Sequence, residues 1–288
     1  MASPDSRKLA LNTATTRAKW GLAQAIEGCA RHGIRGIAPW RDQLHAMGVA
    51  KAARAIRDHG LTVTGLCRGG MFPATTARGR RRAIEDNRRA IDEAHALGAR
   101  CLVLVVGGLP RGARDIGGAR AQVKDGIAAI LPHARAAGVP LAIEPLHPMY
   151  AADRACVNTL AQALELCDAL APERTGDRST NARGALGVAV DVYHVWWDPQ
   201  LREQIRRAGK KRLLAFHICD WLVPTTDLLL DRGMMGDGVI DVRRIRGWVE
   251  AAGYRGFHEV EIFSARNWWR RDPDEVLRTC KRRHRLYC

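Results

Sequence analysis

The chain has 288 residues, 47% of them hydrophobic, and is therefore long enough to bury a large core. Its formal net charge of +16 bears on non-specific association with anions and does not identify a fold or a binding site. Charge alone therefore does not predict a nucleic-acid-binding protein. No run approaches the roughly 20 apolar residues of a membrane span, and the polar N-terminus lacks the apolar core of a signal peptide, so we predict a cytoplasmic protein. The eight cysteines form no CxxC pair, which predicts reduced thiols.

Apolar runs typical of buried strands alternate with helical stretches along the chain. Strands are predicted at 9–16, 34–39, 61–67, 101–108, 139–144, 186–191, 212–217 and 257–261. Helices are predicted at 20–33, 49–60, 81–98, 119–138 with Pro132 as a candidate break, 158–170, 199–209, 242–253 and 272–286. Eight strands alternating with eight helices predict an α/β fold, a (β/α)8 TIM barrel, formed as a single domain over residues 1–288.

Residue types at the ends of the predicted helices support these boundaries. Asn158 and Asp272 are predicted N-caps, and Pro273 is predicted to be the first residue of the last helix. Glycine supplies the left-handed residue that ends many helices, and it occupies that place at Gly33, Gly60, Gly98, Gly138, Gly209 and Gly253.

An open, doubly wound sheet is the alternative fold for this alternation. That fold usually carries a glycine-rich phosphate-binding turn after its first strand, whereas here the turn reads TATTRAKW. No GxxxxGK[ST] motif occurs either. The barrel therefore remains the prediction.

Four polar residues stand at or near the ends of the last four predicted strands. They are Glu144, Asp191, His217 and Glu261. The C-terminal ends of barrel strands share one face, where barrel enzymes carry their chemistry. Buried carboxylates are unfavourable unless they are paired or bound to metal, and three carboxylates with one imidazole suit a divalent ion. The pattern predicts a metal site and favours an enzyme over a binding module.

Further polar and aromatic residues follow these strand ends. His147, His194 and Asp220 each come three residues after a predicted ligand, and Trp196 follows His194 closely. We predict that these four side chains bind the substrate or, for His194, the metal itself. The alternative for the histidine is a strand-end cap, and the alternative for the tryptophan is ordinary packing.

Several segments resemble one known family. The segments IEPLHPMYAADR, VAVDVYHVWWDP, FHICDW with MMGDGVID, and EVEIFS resemble the sugar phosphate isomerase/epimerase family of the xylose isomerase-like TIM-barrel superfamily. The resemblance extends over nearly the whole chain and is most specific between Leu141 and Phe263.

This resemblance implies both an activity and roles for the strand-end residues. It implies that the four residues bind one divalent ion, for which we favour Mn²⁺, with Mg²⁺, Co²⁺ or Zn²⁺ as alternatives. It also implies that Glu144 and Glu261 exchange a proton with the substrate and that His194 contacts it. The implied enzyme is an isomerase or epimerase that acts on a keto-sugar or related polyol through a metal-stabilised enediolate. A dehydratase or β-eliminating lyase acting on a keto-sugar or inosose is the alternative.

The sequence departs from the similar ketose 3-epimerases at two positions. Those enzymes carry a second glutamate shortly after the first and an arginine six residues past the histidine ligand, and here those positions hold Tyr150 and Val223. Both departures affect groups that would hold the substrate, so they leave the identity of the sugar open.

A second branch of the superfamily, the endonuclease IV type, is considered because of the basic charge. Its trinuclear zinc centre requires further histidines on the early strands, whereas the chain reads GLCRGG and VVGGLP there. No Asp-x-His motif follows Asp220. We therefore do not expect a nucleic-acid partner, and the resemblance implies a homodimer.

Overall fold

A computed structural model describes residues 3–172 and 184–288. The predicted domain covers 1–288, so residues 1–2 and 173–183 of it lie outside the described residues. The strands are β1 (Leu9–Asn12), β2 (Gly36–Ala38), β3 (Thr62–Val63), β4 (Leu66–Gly70), β5 (Leu102–Val105), β6 (Leu141–Ile143), β7 (Leu186–Asp191), β8 (Leu213–Ile218), β9 (Asp220–Trp221), β10 (Arg232–Gly233) and β11 (His258–Val260). The α-helices are α1 (Leu22–Arg31), α2 (Arg41–Met47), α3 (Val49–Asp58), α4 (Ala77–Ala96), α5 (Ile116–Ala136), α6 (Leu160–Leu170), α7 (Val192–Val195), α8 (Leu201–Arg212), α9 (Val242–Ala251) and α10 (Pro273–Tyr287).

Nine of the strands form one parallel sheet. Their order is β3-β2-β1-β11-β8-β7-β6-β5-β4, and the short strands β9 and β10 form a separate antiparallel pair. The two ends of the large sheet, β3 and β4, are consecutive pieces of the predicted strand 61–67. A bridge between Trp40 and Cys67 adds a contact between the chain after β2 and β4. The sheet therefore curls into a nearly closed barrel, and the prediction of a TIM barrel is confirmed.

The helices differ from the prediction in several places. The short helices α2 and α7 were not predicted, because seven and four residues are too few to show a clear helical period. The candidate break at Pro132 is wrong, since α5 continues through it. Pro132 lies on the exposed face of α5, where the carbonyl oxygen that loses its hydrogen bond can be solvated.

The predicted helix caps are confirmed at one of two positions. Asp272 accepts a hydrogen bond from the backbone of Glu275, and Pro273 is the first residue of α10. At α6 the N-cap is Thr159, so the prediction of Asn158 is wrong by one residue. The Asn158 side chain instead donates to the carbonyl oxygens of two residues in the preceding loop.

Alternation along the strands divides the core into two parts. In β6 and β7 the larger residues, such as Leu141 and Val188, pack outward against the helices in the main apolar cluster. The smaller residues between them belong to a second cluster inside the barrel, formed by Cys67, Cys101, Val103, Ala142, Ala189, Leu214 and Ala215. Because side chains repeat every second residue in a strand, the residues beyond Ala142 and Ala189 on the same face are Glu144 and Asp191. The barrel thus directs these carboxylates inward at its C-terminal end.

All eight cysteines are buried free thiols, as the scattered pattern predicted. Over residues 3–172 and 184–288, no helix combines the length and the apolar character required to span a membrane.

Candidate functional site

Four side chains meet at the C-terminal end of the barrel. They are the buried residues Glu144, Asp191, His217 and Glu261, whose potential ligand atoms all lie within 4.8 Å of one another. They come from the ends of β6, β7, β8 and β11, which are neighbours in the sheet. The register places Asp191 of β7 beside His217 of β8. The structure therefore brings together the four residues that the sequence singled out.

The two nitrogens of His217 face different surroundings. Nδ1 points to the cluster, 2.9 Å from Glu144 Oε1 and 4.0 Å from Glu261 Oε2. Nε2 lies 3.4 Å from Oε1 of Glu259, which is also buried. A carboxylate behind an imidazole is the arrangement that orients metal-binding histidines in proteins. Nδ1 is therefore the nitrogen of His217 that is available to a metal ion.

Glu259 is held in place by side chains from the neighbouring strand β1 and from the chain between β3 and β4. Its Oε1 accepts a hydrogen bond of 2.8 Å from Asn12 Nδ2, and its Oε2 accepts one of 2.7 Å from the Thr64 hydroxyl. The same Asn12 amide donates to Glu261 Oε1 at 2.9 Å. Asn12 thus connects one predicted ligand, Glu261, to the carboxylate that supports another. The sequence analysis identified neither Asn12 nor Glu259 as part of the site, although Glu259 lies on the same strand face as Glu261.

Three buried atoms of the cluster lack a hydrogen bond of acceptable geometry. They are Glu144 Oε1 and both ring nitrogens of His217, although Glu144 Oε1 and His217 Nδ1 are only 2.9 Å apart. Leaving a buried polar atom unsatisfied costs about 1–3 kcal/mol, so such atoms usually have a partner. Oxygen and nitrogen donors in this combination suit divalent ions such as Mn²⁺, Co²⁺ or Zn²⁺. The residues present therefore fit a divalent metal ion, held by the four side chains of the cluster.

The cluster concentrates negative charge in a buried place. Burial raises the pKa of Glu261 to about 8, although the charges of Arg232 and His217 act in the opposite direction. Burial alone would lower the pKa of His217, but Glu259 and Glu144 raise it well above its ordinary value. The two shifts have different main causes, burial for Glu261 and neighbouring carboxylates for His217, and a cation bound to the cluster would lower both pKa values.

Arg232 is a member of the site that the sequence analysis missed. It lies in β10, within the long segment that follows β8, and the residue is buried, with 3% of its surface exposed. Nη1 donates to Asp191 Oδ2 at 2.9 Å and to Glu261 Oε2 at 3.1 Å, and Nη2 lies 3.1 Å from His194 Nε2. Val223, where the similar epimerases carry an arginine, is an exposed loop residue. Nothing in the local pattern around Arg232 distinguishes it from the many other arginines.

A cavity opens above the cluster at the mouth of the barrel. Its empty space is about 460 Å³, part of which is open to solvent. Glu144 and Glu261 both line it. Charged and polar side chains form much of the remaining wall, together with apolar residues such as Leu146 and Phe263; the polar ones are Arg68, Tyr150, Arg154, His194 and Arg232. The two glutamates thus face a solvent-open space whose wall carries several polar groups.

Of the four residues predicted to bind the substrate, one lines the cavity and three do not. His194 lines the cavity, and burial lowers its pKa to about 3, so its imidazole is neutral at physiological pH. His147 lies behind it, with its ring stacked on Trp221 at 5.0 Å, and Trp196 packs against the same tryptophan at 5.9 Å. Neither His147 nor Trp196 is part of the cavity wall. The backbone N–H of His147 donates to His194 Nδ1 at 3.3 Å, and the contacts of His147 and Trp196 with a substrate stay predictions.

Asp220 has a structural role that the sequence analysis did not foresee. Its two carboxylate oxygens accept hydrogen bonds of 2.8–2.9 Å from four backbone N–H groups, those of Trp221, Gly236, Gly238 and Ile240. Its side chain does not line the cavity. Asp220 therefore anchors the segment that contains MMGDGVID, and its contact with a substrate stays a prediction.

Comparisons with known proteins agree with this architecture. A family model described as xylose isomerase-like TIM barrel matches residues 26–280. The inosose isomerase of Bacillus velezensis is 25% identical to the chain over 290 residues, which cover 95% of this chain and 94% of that protein.

Solved structures show the same fold. The crystal structure of protein SMc04130 from Sinorhizobium meliloti 1021 is similar with a TM-score of 0.93 and 62% identity, covering 99% of both chains. The structure of IOLI protein with a bound zinc atom has a TM-score of 0.79 and 21% identity, covering 96% of both chains. At that level of identity, the likeness to IOLI concerns the fold alone.

Proposed function

The chain belongs to the xylose isomerase-like TIM-barrel family, and from this premise we propose that it is a divalent-metal-dependent isomerase or epimerase of a keto-sugar or a related polyol. The observation that carries the proposal is the cluster of Glu144, Asp191, His217 and Glu261, with both glutamates facing the cavity. The similarity to an inosose isomerase supports a cyclic polyol ketone among the candidate substrates.

The four side chains of the cluster would hold the metal ion. A divalent ion bound there supplies Lewis-acid polarisation of a substrate carbonyl and its neighbouring hydroxyl. The mixed oxygen and nitrogen donors suit Mn²⁺, which we favour, and they also accept Mg²⁺, Co²⁺ or Zn²⁺. Glu259 orients His217 from behind, so that Nδ1 keeps its direction into the cluster.

The two glutamates are the proposed proton-transfer pair. In this mechanism one of Glu144 and Glu261 takes the proton from the carbon next to the carbonyl. The same or the other carboxylate then returns a proton. Return to the opposite face gives an epimer, and return to the neighbouring carbon interconverts a ketose and an aldose. His194 and Arg232, which also line the cavity, orient the substrate oxygens.

Exchange of substrate protons with solvent tests the proposal directly. The purified protein with Mn²⁺ is incubated in D₂O with a panel of ketoses and inososes, and deuterium incorporation is followed by NMR. We expect incorporation next to the carbonyl of at least one compound, and its loss in excess EDTA and in Glu261→Gln. The exposed residue Glu203, far from the cavity, provides the control Glu203→Gln, which should retain exchange. Full exchange in EDTA, or in Glu261→Gln, would refute the mechanism.

A further inference from the structure

Two arginines in the cavity wall lack an acidic partner. Arg68, in β4, and Arg154, in the loop after β6, are both half-buried and line the cavity together with Glu144. Within residues 3–172 and 184–288, neither guanidinium group forms an ion pair or donates a hydrogen bond; Arg154 contacts only the face of an aromatic ring. Burial lowers the pKa of Arg68, and the nearby charge of Arg154 lowers it further. Two cations thus face the same space without a hydrogen-bonded ion-pair partner, and the charge of Glu144 acts on Arg68 only through space.

Other arginines around the barrel mouth are neutralised. Arg41 forms ion pairs with Asp86 at 2.8 Å and with Glu93 at 2.6 Å. Arg17 pairs with Asp42. Partly buried charges are unfavourable unless they are paired, and the protein provides that pairing at these positions. Arg68 and Arg154 have no such ion pair, and Glu144 in the same cavity wall belongs to the proposed metal cluster, so this side of the cavity can accept an anion from outside the chain.

Tyr150 provides a third, uncharged donor at the same place. Its hydroxyl group is buried and has no hydrogen-bond partner in the described part of the chain. The Arg154 guanidinium lies 5.7 Å from the centre of its ring, and Tyr150 lines the same cavity. Burial raises the pKa of Tyr150, so the hydroxyl keeps its proton near neutral pH and can donate it to an anion.

We propose that Arg68, Arg154 and Tyr150 form an anion-binding subsite for a carboxylate or phosphate group of the substrate. Guanidinium groups suit both anions because they donate two parallel hydrogen bonds to a pair of oxygens. This inference rests on the proposed function, since the same cavity holds the proton-transfer residues Glu144 and Glu261. It narrows the substrate class to an acidic keto-sugar or an acidic inositol derivative.

Binding of unreactive polyols to the metal-free protein tests the subsite apart from catalysis. Three related probes are titrated by calorimetry in EDTA: D-glucitol, which is neutral, D-gluconate, which carries a carboxylate, and D-glucitol 6-phosphate. None has a ketone that can enolise. We expect at least one anionic probe to bind about tenfold or more tightly than D-glucitol, because hydrogen bonds between charged groups are the strongest available here. The comparison of the two anionic probes distinguishes a carboxylate from a phosphate.

Substitutions test whether the three residues produce the preference for anionic probes. Arg68→Gln and Arg154→Gln should each reduce the anion preference about tenfold, and Tyr150→Phe should reduce it less. Arg81→Gln, which removes an exposed positive charge on α4, is the control and should leave the preference unchanged. Circular dichroism checks that each variant folds, and Arg154→Gln in a loop carries the test if Arg68→Gln does not fold. A wild-type protein without anion preference, or a preference that survives both arginine substitutions, would overturn the subsite.

The outcomes separate this subsite from the proposed reaction. A preference for anionic probes without deuterium exchange into any keto-sugar would support the subsite and contradict the proposed isomerase activity. Deuterium exchange into neutral ketoses, combined with equal binding of the three probes, would retain the isomerase and remove the subsite.

Discussion

At the scale of single residues, Glu259 influences the metal site without being one of its predicted ligands. It lies 3.4 Å from His217 Nε2 and accepts hydrogen bonds from Asn12 and Thr64. We predict that Glu259→Gln lowers the affinity for Mn²⁺ by about 10- to 100-fold, the usual effect of removing such a supporting carboxylate. The affinity is measured by competition with a fluorescent chelator. Thr64→Val, which removes one hydrogen bond to Glu259 and leaves its charge, should have a smaller effect, and equal effects would contradict the role of the charge.

Arg232 makes a different contribution, because it neutralises two predicted ligands in the absence of metal. It donates to Asp191 and Glu261 from a buried position. Removing one partner of a buried ion pair typically costs about 3–5 kcal/mol, so Arg232→Met should lower the free energy of unfolding of the metal-free protein by about that amount. Urea denaturation in EDTA measures the loss, and saturating Mn²⁺ should restore part of it. Arg7→Gln, at an exposed ion pair, is the control; a loss in Arg232→Met that is unaffected by Mn²⁺ would contradict the link between Arg232 and the metal site.

The sequence allowed some of these residues to be predicted and not others. Glu144 and Asp191 end runs in which side chains alternate between two faces of a strand, so their direction follows from the strand itself. Arg232 enters the site from the two-residue strand β10, and its position depends on the antiparallel pairing of β10 with the equally short β9. Such pairing leaves no local periodic pattern, which is why Arg232 could not be recognised.

At the scale of elements, Asp220 in β9 holds the segment after β10 against the barrel. Its carboxylate accepts four backbone hydrogen bonds, which an amide cannot reproduce because its NH₂ group would face N–H donors. Asp220→Asn should therefore destabilise the protein by about 2–3 kcal/mol. It should also increase hydrogen exchange at Gly236, Gly238 and Ile240, which mass spectrometry can resolve. The control is Asp227→Asn at an exposed turn, and unchanged protection of these amides in Asp220→Asn would contradict the anchoring role.

The elements themselves show where local pattern is sufficient. The long helices α4 and α5 were predicted at nearly their observed positions, because many residues repeat with a helical period. The strand predicted at 61–67 is divided into β3 and β4, which pair with β2 and β5 respectively. This division follows from closure of the sheet around the barrel, and closure is a property of all strands together. It could not be predicted from one apolar run.

At the scale of the whole molecule, two buried histidines join the last helix to the barrel. His258, at the start of β11, has Nδ1 2.9 Å from Nε2 of His284 in α10, and its Nε2 is 3.5 Å from Glu250 of α9. Burial lowers the pKa of His284 to about 3, and the positive charge of Arg246 acts in the same direction. Burial also lowers the pKa of His258, although Glu250 opposes the shift. Both rings are therefore neutral in the folded protein near neutral pH.

Lowering the pH should reduce the free energy of unfolding through His284 in a defined pH range. An exposed histidine in the unfolded chain takes up a proton near pH 6.5, whereas His284 in the folded protein does so only near pH 3. Between these values the unfolded state binds more protons, so the free energy of unfolding falls as the pH falls, by about 2 kcal/mol from this residue between pH 6.5 and pH 5. His284→Gln should flatten the pH dependence measured by urea denaturation, relative to the wild type. Parallel curves for the two proteins would contradict a titration at His284.

The net charge of +16 bears on the alternative of a DNA-repair nuclease. Within the described residues, one cluster of histidine, cysteine, aspartate and glutamate side chains has metal-binding geometry, and it contains a single histidine. A trinuclear zinc centre requires more ligands than this cluster offers. We therefore expect no incision of a duplex with an abasic site in the presence of Zn²⁺ or Mn²⁺, assayed by denaturing gel electrophoresis. The basic surface should instead retain duplex DNA weakly and release it as salt is raised, because such binding depends on release of counterions. Metal-dependent incision that disappears in Glu261→Gln would assign this cluster to nuclease chemistry in place of proton transfer.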